Sequence, residues 1–566
     1  MRNSVNGQAQ IEAGTNIWSQ PGVSSKGRLF LILSPLLGYG IFIAESVFAF
    51  PNPLWALLLL AWALCATGLA WWLMLDRARK FLDSLDRHAT KVAITLIALA
   101  GIGFVLTSAW QARHFALGPQ AEDTAYYSQV LWNTLHGNFL AGNVQQERLY
   151  NPPVSNDMAL HFSPVLWMFL PLYALAPHFL TLLIIRDIAL AVAAWPLFLL
   201  ARERMSATAG LLAVVLYLAN PAVIAQAAEA FYFVQLAPLA LFAALRGYLH
   251  QDFGRFVVWM TIGLSFREDV AILMTGFGLL ALAMRRPIHW AAVALAVPVA
   301  WWCLVTLIIQ PSFGHWGNHA FEVAFAQGER ARFGLYQVLF GDPAGLLAVL
   351  ANGGLEYLYR LLRAVGFVCL MGPEGMLAIP GALSNLFYAQ LHASGIDPFS
   401  RLALLPSCAL VGAAVVIVSR VRWPSLANPR ACAIAALFLV PSASLMDGVK
   451  DAVQYRYSLY TVINDSAALR EALEHIPPTA SVAAPNYALP ALSQRGKLFY
   501  LQYLHMYPQA LPDYILVDVN LDRVTSNSAL RERYSALLRK LADASEYESV
   551  WQRGQYLLLR RGSSKL

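Results

Sequence analysis

Apolar residues in this chain fall in blocks of about twenty rather than in one-sided amphipathic stripes, and that spacing fixes the fold class. A helix of about twenty apolar residues crosses the hydrocarbon core of a bilayer with every backbone polar group satisfied internally. Composition agrees: of 566 residues, 58% are hydrophobic and 13% charged, with a mean hydropathy of +0.52. The blocks predict a polytopic α-helical membrane protein with about 11 to 13 spans.

The formal charge of +7 does not point to nucleic acid, because Lys and Arg gather at the ends of apolar blocks, where membrane orientation needs them. Cys65, Cys303, Cys369, Cys408 and Cys432 all lie inside apolar blocks, which excludes a loop disulfide framework and a CxxC metal site. Residues 1–27 are polar, with no short apolar core and no small-residue cleavage site, and are expected to be a disordered cytoplasmic tail.

Spans are expected near 28–50 and 53–74, followed by a basic cytoplasmic loop, Asp76 to Lys91, and an exit near 92–110. That leaves 111–178 as an external loop within a membrane domain of residues 28–447. Inside the loop, PVLWMFLPLYALAP (Pro164 to Pro177) is too short to cross and is expected to lie along the membrane surface. Spans near 179–200, 208–226 and 231–249 follow. The run Phe256 to Met284 is broken by Arg267, Glu268 and Asp269, and two half-spans keep Arg285 and Arg286 on the cytoplasmic side. A span near 288–310, an external stretch to about Pro343, broken helices over Gly366 to Tyr388, and spans near 402–419 and 431–447 complete the domain.

Residues 448–566 have the composition of a soluble α/β domain, and the basic stretch Arg420 to Arg430 between the last two spans leads one to expect it on the extracytoplasmic side. Helices are expected at Ala467 to Ile476 and Ala529 to Ala542. Strands are expected at Ser481 to Ala484, Leu498 to Leu501, Tyr514 to Val519, Tyr547 to Trp551 and Tyr556 to Arg560. There is no G-x-G-x-x-G between strand and helix and no P-loop, so nucleotide binding has no support.

An acidic loop pinned at a membrane face points to chemistry on a lipid-borne substrate. Asp123 is the candidate base, although it also directly precedes the helical-looking TAYYSQVLWNTL and so suits an N-cap. Tyr126, Tyr127 and Trp132 offer faces on which a sugar ring could stack. His161 could bind a phosphate or orient the acid. Arg267 suits a phosphate contact, with Glu268 or Asp269 positioning it or binding a divalent cation. Arg360 and Arg363 suit either phosphate binding or headgroup anchoring.

Asp123, Gln129, Trp132, Asn133, His136 and Gly137, the HFSP tetrad at 161–164, Glu268 and Asp269, and Ile476 to Arg495 together resemble the bacterial and archaeal membrane-protein family called domain of unknown function 2079. That family is similar in layout to the GT-C superfamily of membrane glycosyltransferases. The segment AEAFYFVQLAP (Ala228 to Pro238) lacks a histidine that the resemblance leads one to expect, and HASGIDP (His392 to Pro398) replaces a His-Tyr element.

The resemblance implies a bacterial inner-membrane, GT-C-like enzyme that transfers a sugar, with inversion, from a polyprenyl-phosphate donor. The acceptor would be an envelope glycan, lipid or protein on the external face. No cofactor is required, and a divalent cation is an option. Two rival readings stand beside it: a flippase or transporter of a lipid-linked substrate, whose charged, broken helices line a path, and a non-catalytic envelope scaffold.

Overall fold

A computed structural model describes residues 65, 79–118, 120–144, 156–313, 347–391, 400–420, 465–506, 511–520, 528–543 and 546–562. The tail, most of the first two expected spans, the external stretch from 314, HASGIDP and the span at 431–447 lie outside the described residues. Within them the chain is a polytopic helical membrane protein followed by a small mixed α/β unit.

Among the described residues, four helical stretches are long and apolar enough to cross a membrane: Lys80–His114, Phe179–Arg204, Ile288–Ser312 and Arg401–Arg420. The first belongs to α1 (Arg79–His114), which corrects the basic loop expected to run to Lys91. Leu82 and Ala89 are buried, and Asp86 Oδ1 accepts from the Thr208 N–H at 2.7 Å, so these turns pack instead of looping out.

Next come α2 (Ala121–Leu135) and α3 (Leu166–Leu175). The latter has ten residues, too few to cross, and leaves Met168 and Leu175 exposed at 73% and 84%. After α4 (Phe179–Val192) and α5 (Ala194–Arg204), the chain turns where Ser206 Oγ accepts from Ala209 N–H at 3.1 Å. α6 (Ala207–Leu218) then gives way to α7 (Pro221–Gln226), with Asn220 as cap and Pro221 in its first turn. The block expected as one span at 208–226 is therefore two helices. α8 (Ala237–Leu249) follows a short 3₁₀ turn, Phe233–Leu236.

The run after α8 divides as the charges require. α9 (Phe253–Leu264) and α10 (Val270–Met274), continued by α11 (Gly276–Ala283), are separated by non-helical residues 265–269. Glycine makes two close approaches possible here. A Cβ at Gly247 would lie 2.9 Å from Phe256 N, and one at Gly276 would lie 2.5 Å from Leu377 O.

α12 (Ile288–Leu304) continues the chain, and α13 (Leu355–Arg363) precedes 3₁₀ turns at Val368–Met371 and Pro373–Ala378 and then α14 (Ile379–Leu391). These are the expected broken helices. α15 (Arg401–Arg420) is the innermost span, with 89% of its apolar window buried against 17% for α1. Cys369 and Cys408 are buried free thiols, and Cys65 and Cys303 are free as well.

The C-terminal unit carries α16 (Ser466–Glu474), β1 (Val482–Ala484), β2 (Leu498–Tyr500), β3 (Tyr514–Asp518), α17 (Ser528–Asp543), β4 (Tyr547–Arg553) and β5 (Tyr556–Arg561). The sheet order is β2-β1-β3-β5-β4, with β1 parallel to both β2 and β3, and β5 antiparallel to β3 and β4. Strand alternation divides β3 between two cores. Ile515 and Val517 pack with Tyr534 and Leu537 of α17, whereas Leu516 joins the cluster continuous with the membrane helices. That second face docks the unit against α2.

Candidate functional site

Asp123 lies in the first turn of α2, which begins at Ala121, so it is not the N-cap. The orphan N–H of Glu122 instead donates to Asn486 Oδ1 at 2.8 Å, a cap supplied by the C-terminal unit. The Asp123 side chain is thereby left for other partners. Tyr232 O–H is shared between Asp123 Oδ2 and Gln120 Oε1, the latter at 2.6 Å. Arg401 Nη1 donates to Gln120 Oε1 at 2.8 Å and lies 3.4 Å from Asp123 Oδ2. Its guanidinium sits over the Tyr232 ring, 4.0 Å from the centroid, so one cation meets both a carboxylate and a π face.

A second polar group adjoins the first. The break at 265–269 is tied to the segment before α3 by Val165 N–H donating to Ser265 O at 3.2 Å. His161 Nδ1 lies 2.8 Å from Glu268 Oε1, and Phe162 N–H donates to Glu268 Oε2 at 3.2 Å. Arg267 Nε is 3.3 Å from Asp269 Oδ2 and 3.9 Å from Glu268 Oε1. Arg267, Glu268 and Asp269 line an open gap with Asn385, Tyr388 and Leu402, next to Arg401. Arg401 is near enough to Arg267 to repel it, so two cations flank one gap.

The remaining expected residues divide by where the helix places them. Tyr126 and Tyr127 are 0% and 2% exposed, which corrects the expectation that they present faces for a sugar. They lie on the side of α2 that meets the core: Tyr126 donates to Asp157 Oδ1 at 2.8 Å, and Tyr127 packs edge-on against Phe231 and Phe233. Burial drives the Tyr127 hydroxyl well above its ordinary range. Burial likewise pushes Asp157 up to about 6, against the pull of His161 and the Tyr126 hydroxyl.

Gln129 is a clasp, donating to Asn143 Oδ1 at 2.7 Å and to Arg495 O at 3.3 Å. Asn133 donates to Ala141 O at 2.9 Å. Trp132 and His136 stack on each other with centroids 3.9 Å apart at the far end of α2. That is about 13 to 20 Å of helical rise from Asp123, so Trp132 is also not a stacking face beside the acid. Arg360 pairs with Glu356 at 2.6 Å and Arg363 lies over the Tyr359 ring, partners on their own helix.

Three residues that sequence reasoning missed complete the site or support it. Tyr232 and Arg401 reach Asp123 from 109 and 278 positions away. Arg186, wholly buried in α4, donates through Nη2 to Ser108 Oγ at 2.7 Å, to Asp187 Oδ1 at 2.8 Å and to Ala227 O at 3.0 Å, and through Nη1 to Glu229 O. It braces the turn after α7 that leads to Tyr232. A charge inside an apolar block is the signal that could have revealed it. Among the described residues no three His, Cys, Asp or Glu side chains are grouped to hold a metal ion.

No curated protein matches the chain. Among solved structures it is similar to ArnT from Cupriavidus metallidurans bound to undecaprenyl phosphate, at 13% identity and a TM-score of 0.47, covering 83% of this chain and 98% of that one. It is also similar to the apo state of the same protein, at 13% identity and a TM-score of 0.44, covering 82% and 98%. The family model described as "Predicted membrane protein (DUF2079)" matches residues 113–558, and the chain belongs to that family.

Proposed function

We propose that the protein is an inverting membrane glycosyltransferase of GT-C type that takes a sugar from a polyprenyl-phosphate donor, with Asp123 as base. The observation that carries this reading is the Asp123 carboxylate held by Tyr232 and Arg401 near a gap lined by Arg267, Glu268 and Asp269. In the proposed step an acceptor hydroxyl oxygen attacks the anomeric carbon from the face opposite the phosphate. Its proton passes to Asp123 as the C–O bond to phosphate breaks. The bond's electron pair leaves on polyprenyl phosphate, whose added charge Arg401 and Arg267 stabilise. The scheme needs no resident cofactor.

The acceptor is an envelope glycan, lipid or protein on the external face of a bacterial inner membrane, with the N-terminus cytoplasmic and the C-terminal unit extracytoplasmic. Support for that orientation comes from Arg204, Arg246, Arg286 and Arg420, which gather at helix ends remote from Asp123.

The test is donor turnover by purified protein and Asp123→Asn with a panel of polyprenyl-phosphate sugars and envelope extract as acceptor. Turnover in the wild type, lost in D123N with donor binding retained, is expected. Donor binding without turnover in both would instead favour a lipid-linked substrate carrier, the reading to which the break at 265–269 also lends support.

A further inference from the structure

At the start of α3 a shallow cleft lies between the segment that carries Asp157 and the loop after α2, lined by Leu140, Asp157, His161, Ser163 and Trp167. Two of its walls are fixed by hydrogen bonds from other elements. Tyr126, about one turn along α2 from Asp123, donates to Asp157 Oδ1 at 2.8 Å. Glu268, from the break at 265–269, holds His161 Nδ1 at 2.8 Å. A carboxylate only accepts, so Nδ1 carries the hydrogen and Nε2 keeps a lone pair, which no hydrogen bond uses among the described residues. Ser163 is 7% exposed, and its Oγ has no hydrogen-bond partner among the described residues. A buried hydroxyl left in that state costs stability unless a ligand completes it. Trp167, by contrast, is 49% exposed, and the 54% exposed Phe139 lies beside it with ring centroids 6.1 Å apart.

These groups select against an anion and for a hydroxylated ligand. Asp157, ionised above its pKa of about 6, repels a phosphate. The Asp157 carboxylate, His161 Nε2 and Ser163 Oγ can each accept from an O–H, and an open aromatic face beside them suits the C–H side of a ring. We propose that this cleft binds a sugar ring of the acceptor, with its hydroxyls on Asp157, His161 and Ser163 and its apolar face on Trp167. Glu268 stands between this cleft and the gap beside Arg267, since it lines the second and holds a wall of the first. An acceptor that already carries a sugar is thereby favoured over a bare lipid or protein. Naming the sugar an acceptor rests on the transferase reading, whereas its binding here does not.

The experiment places full-length D123N in nanodiscs, where no turnover intervenes, and records saturation-transfer NMR with the methyl glycosides of glucose, galactose, mannose and N-acetylglucosamine. Transfer to at least one glycoside is expected, with its dissociation constant raised about fivefold by W167A and about fivefold by S163A. Should W167A fail to fold, S163A, which removes a single oxygen, carries the same comparison. A monoglucosyl diacylglycerol that competes better than methyl glucoside would assign the sugar to a membrane lipid, and the reverse to a free glycan; either supports the cleft. No transfer from any of the four glycosides, or equal affinity with and without Trp167 and the Ser163 hydroxyl, would overturn the proposal. So would displacement of the sugar by inorganic phosphate, because the cleft would then be an anion site. Donor turnover by the wild type is measured in parallel. Turnover without sugar binding sinks the cleft alone, and sugar binding without turnover sinks the transferase reading alone.

Discussion

The backbone N–H of Glu122 donates to Asn486 Oδ1 at 2.8 Å across 364 positions of sequence. The cap of the helix that carries Asp123 therefore belongs to another part of the chain, and the orientation of the acid depends on the C-terminal unit being docked. Gln129 and Ser128 reinforce the docking through Arg495 O and Ser493 Oγ.

Asn486→Ala removes this cap while leaving the chain otherwise intact. The expected cost is about 1 kcal/mol of local stability. Amide exchange at residues 121–124 should accelerate, and unchanged protection there would show that the cap contributes nothing.

Arg401 serves through the shape of its guanidinium, which reaches Gln120, Asp123 and the Tyr232 face together. A lysine keeps the charge but not that fork. Donor turnover is expected to fall at least about tenfold in R401K and further in R401Q. Full activity in R401K would reduce the role of Arg401 to simple charge.

Asp157 makes stability depend on pH. Its folded pKa of about 6 lies above the ordinary 3.8, so the contribution is fully present below about pH 4 and lost as pH rises through 6. The groups that face it are Tyr126, His161, Glu268 and Arg267. The stability difference between wild type and D157N should fall by up to about 3 kcal/mol over that window. A difference that stays flat from pH 4 to 7 would contradict the burial of the carboxyl.

Arg186 and Asp187 are both wholly buried and paired at 2.8 Å. Arg186→Leu leaves Asp187 as an uncompensated buried charge, a loss of about 3 to 5 kcal/mol. The double change R186L/D187L should recover much of the melting temperature in detergent. It should not recover donor turnover, because the brace on Ala227 and Glu229 is gone. Equal melting temperatures in the single and double variants would refute the pairing.

The short helix α3 and the break at 265–269 were legible because length and charge are local quantities, as were the strands from Val482 to Arg561. Tyr232 and Arg401 were not, since nothing near either residue encodes a partner more than a hundred positions away. The Tyr232 segment, Ala228 to Pro238, was noted only for the histidine it lacks. Trp132 and His136 were grouped with Asp123 by motif, although helical rise alone separates them from it. Tyr126 and Tyr127 misled for a related reason. Aromatic composition reports an affinity for rings but not the face of α2 on which it lies. The basic stretch before Lys91 reads as a loop by charge alone, and becomes helix because Asp86 finds Thr208 from a distant segment.

A chain is made from its N-terminus, and at about 5 to 20 residues per second the ribosome releases Asp123 well before Asn486 exists. The acid-bearing helix must wait tens of seconds in the membrane without its cap. A truncated or stalled product would thus carry every membrane helix described here and still lack the side chain that caps the helix of Asp123.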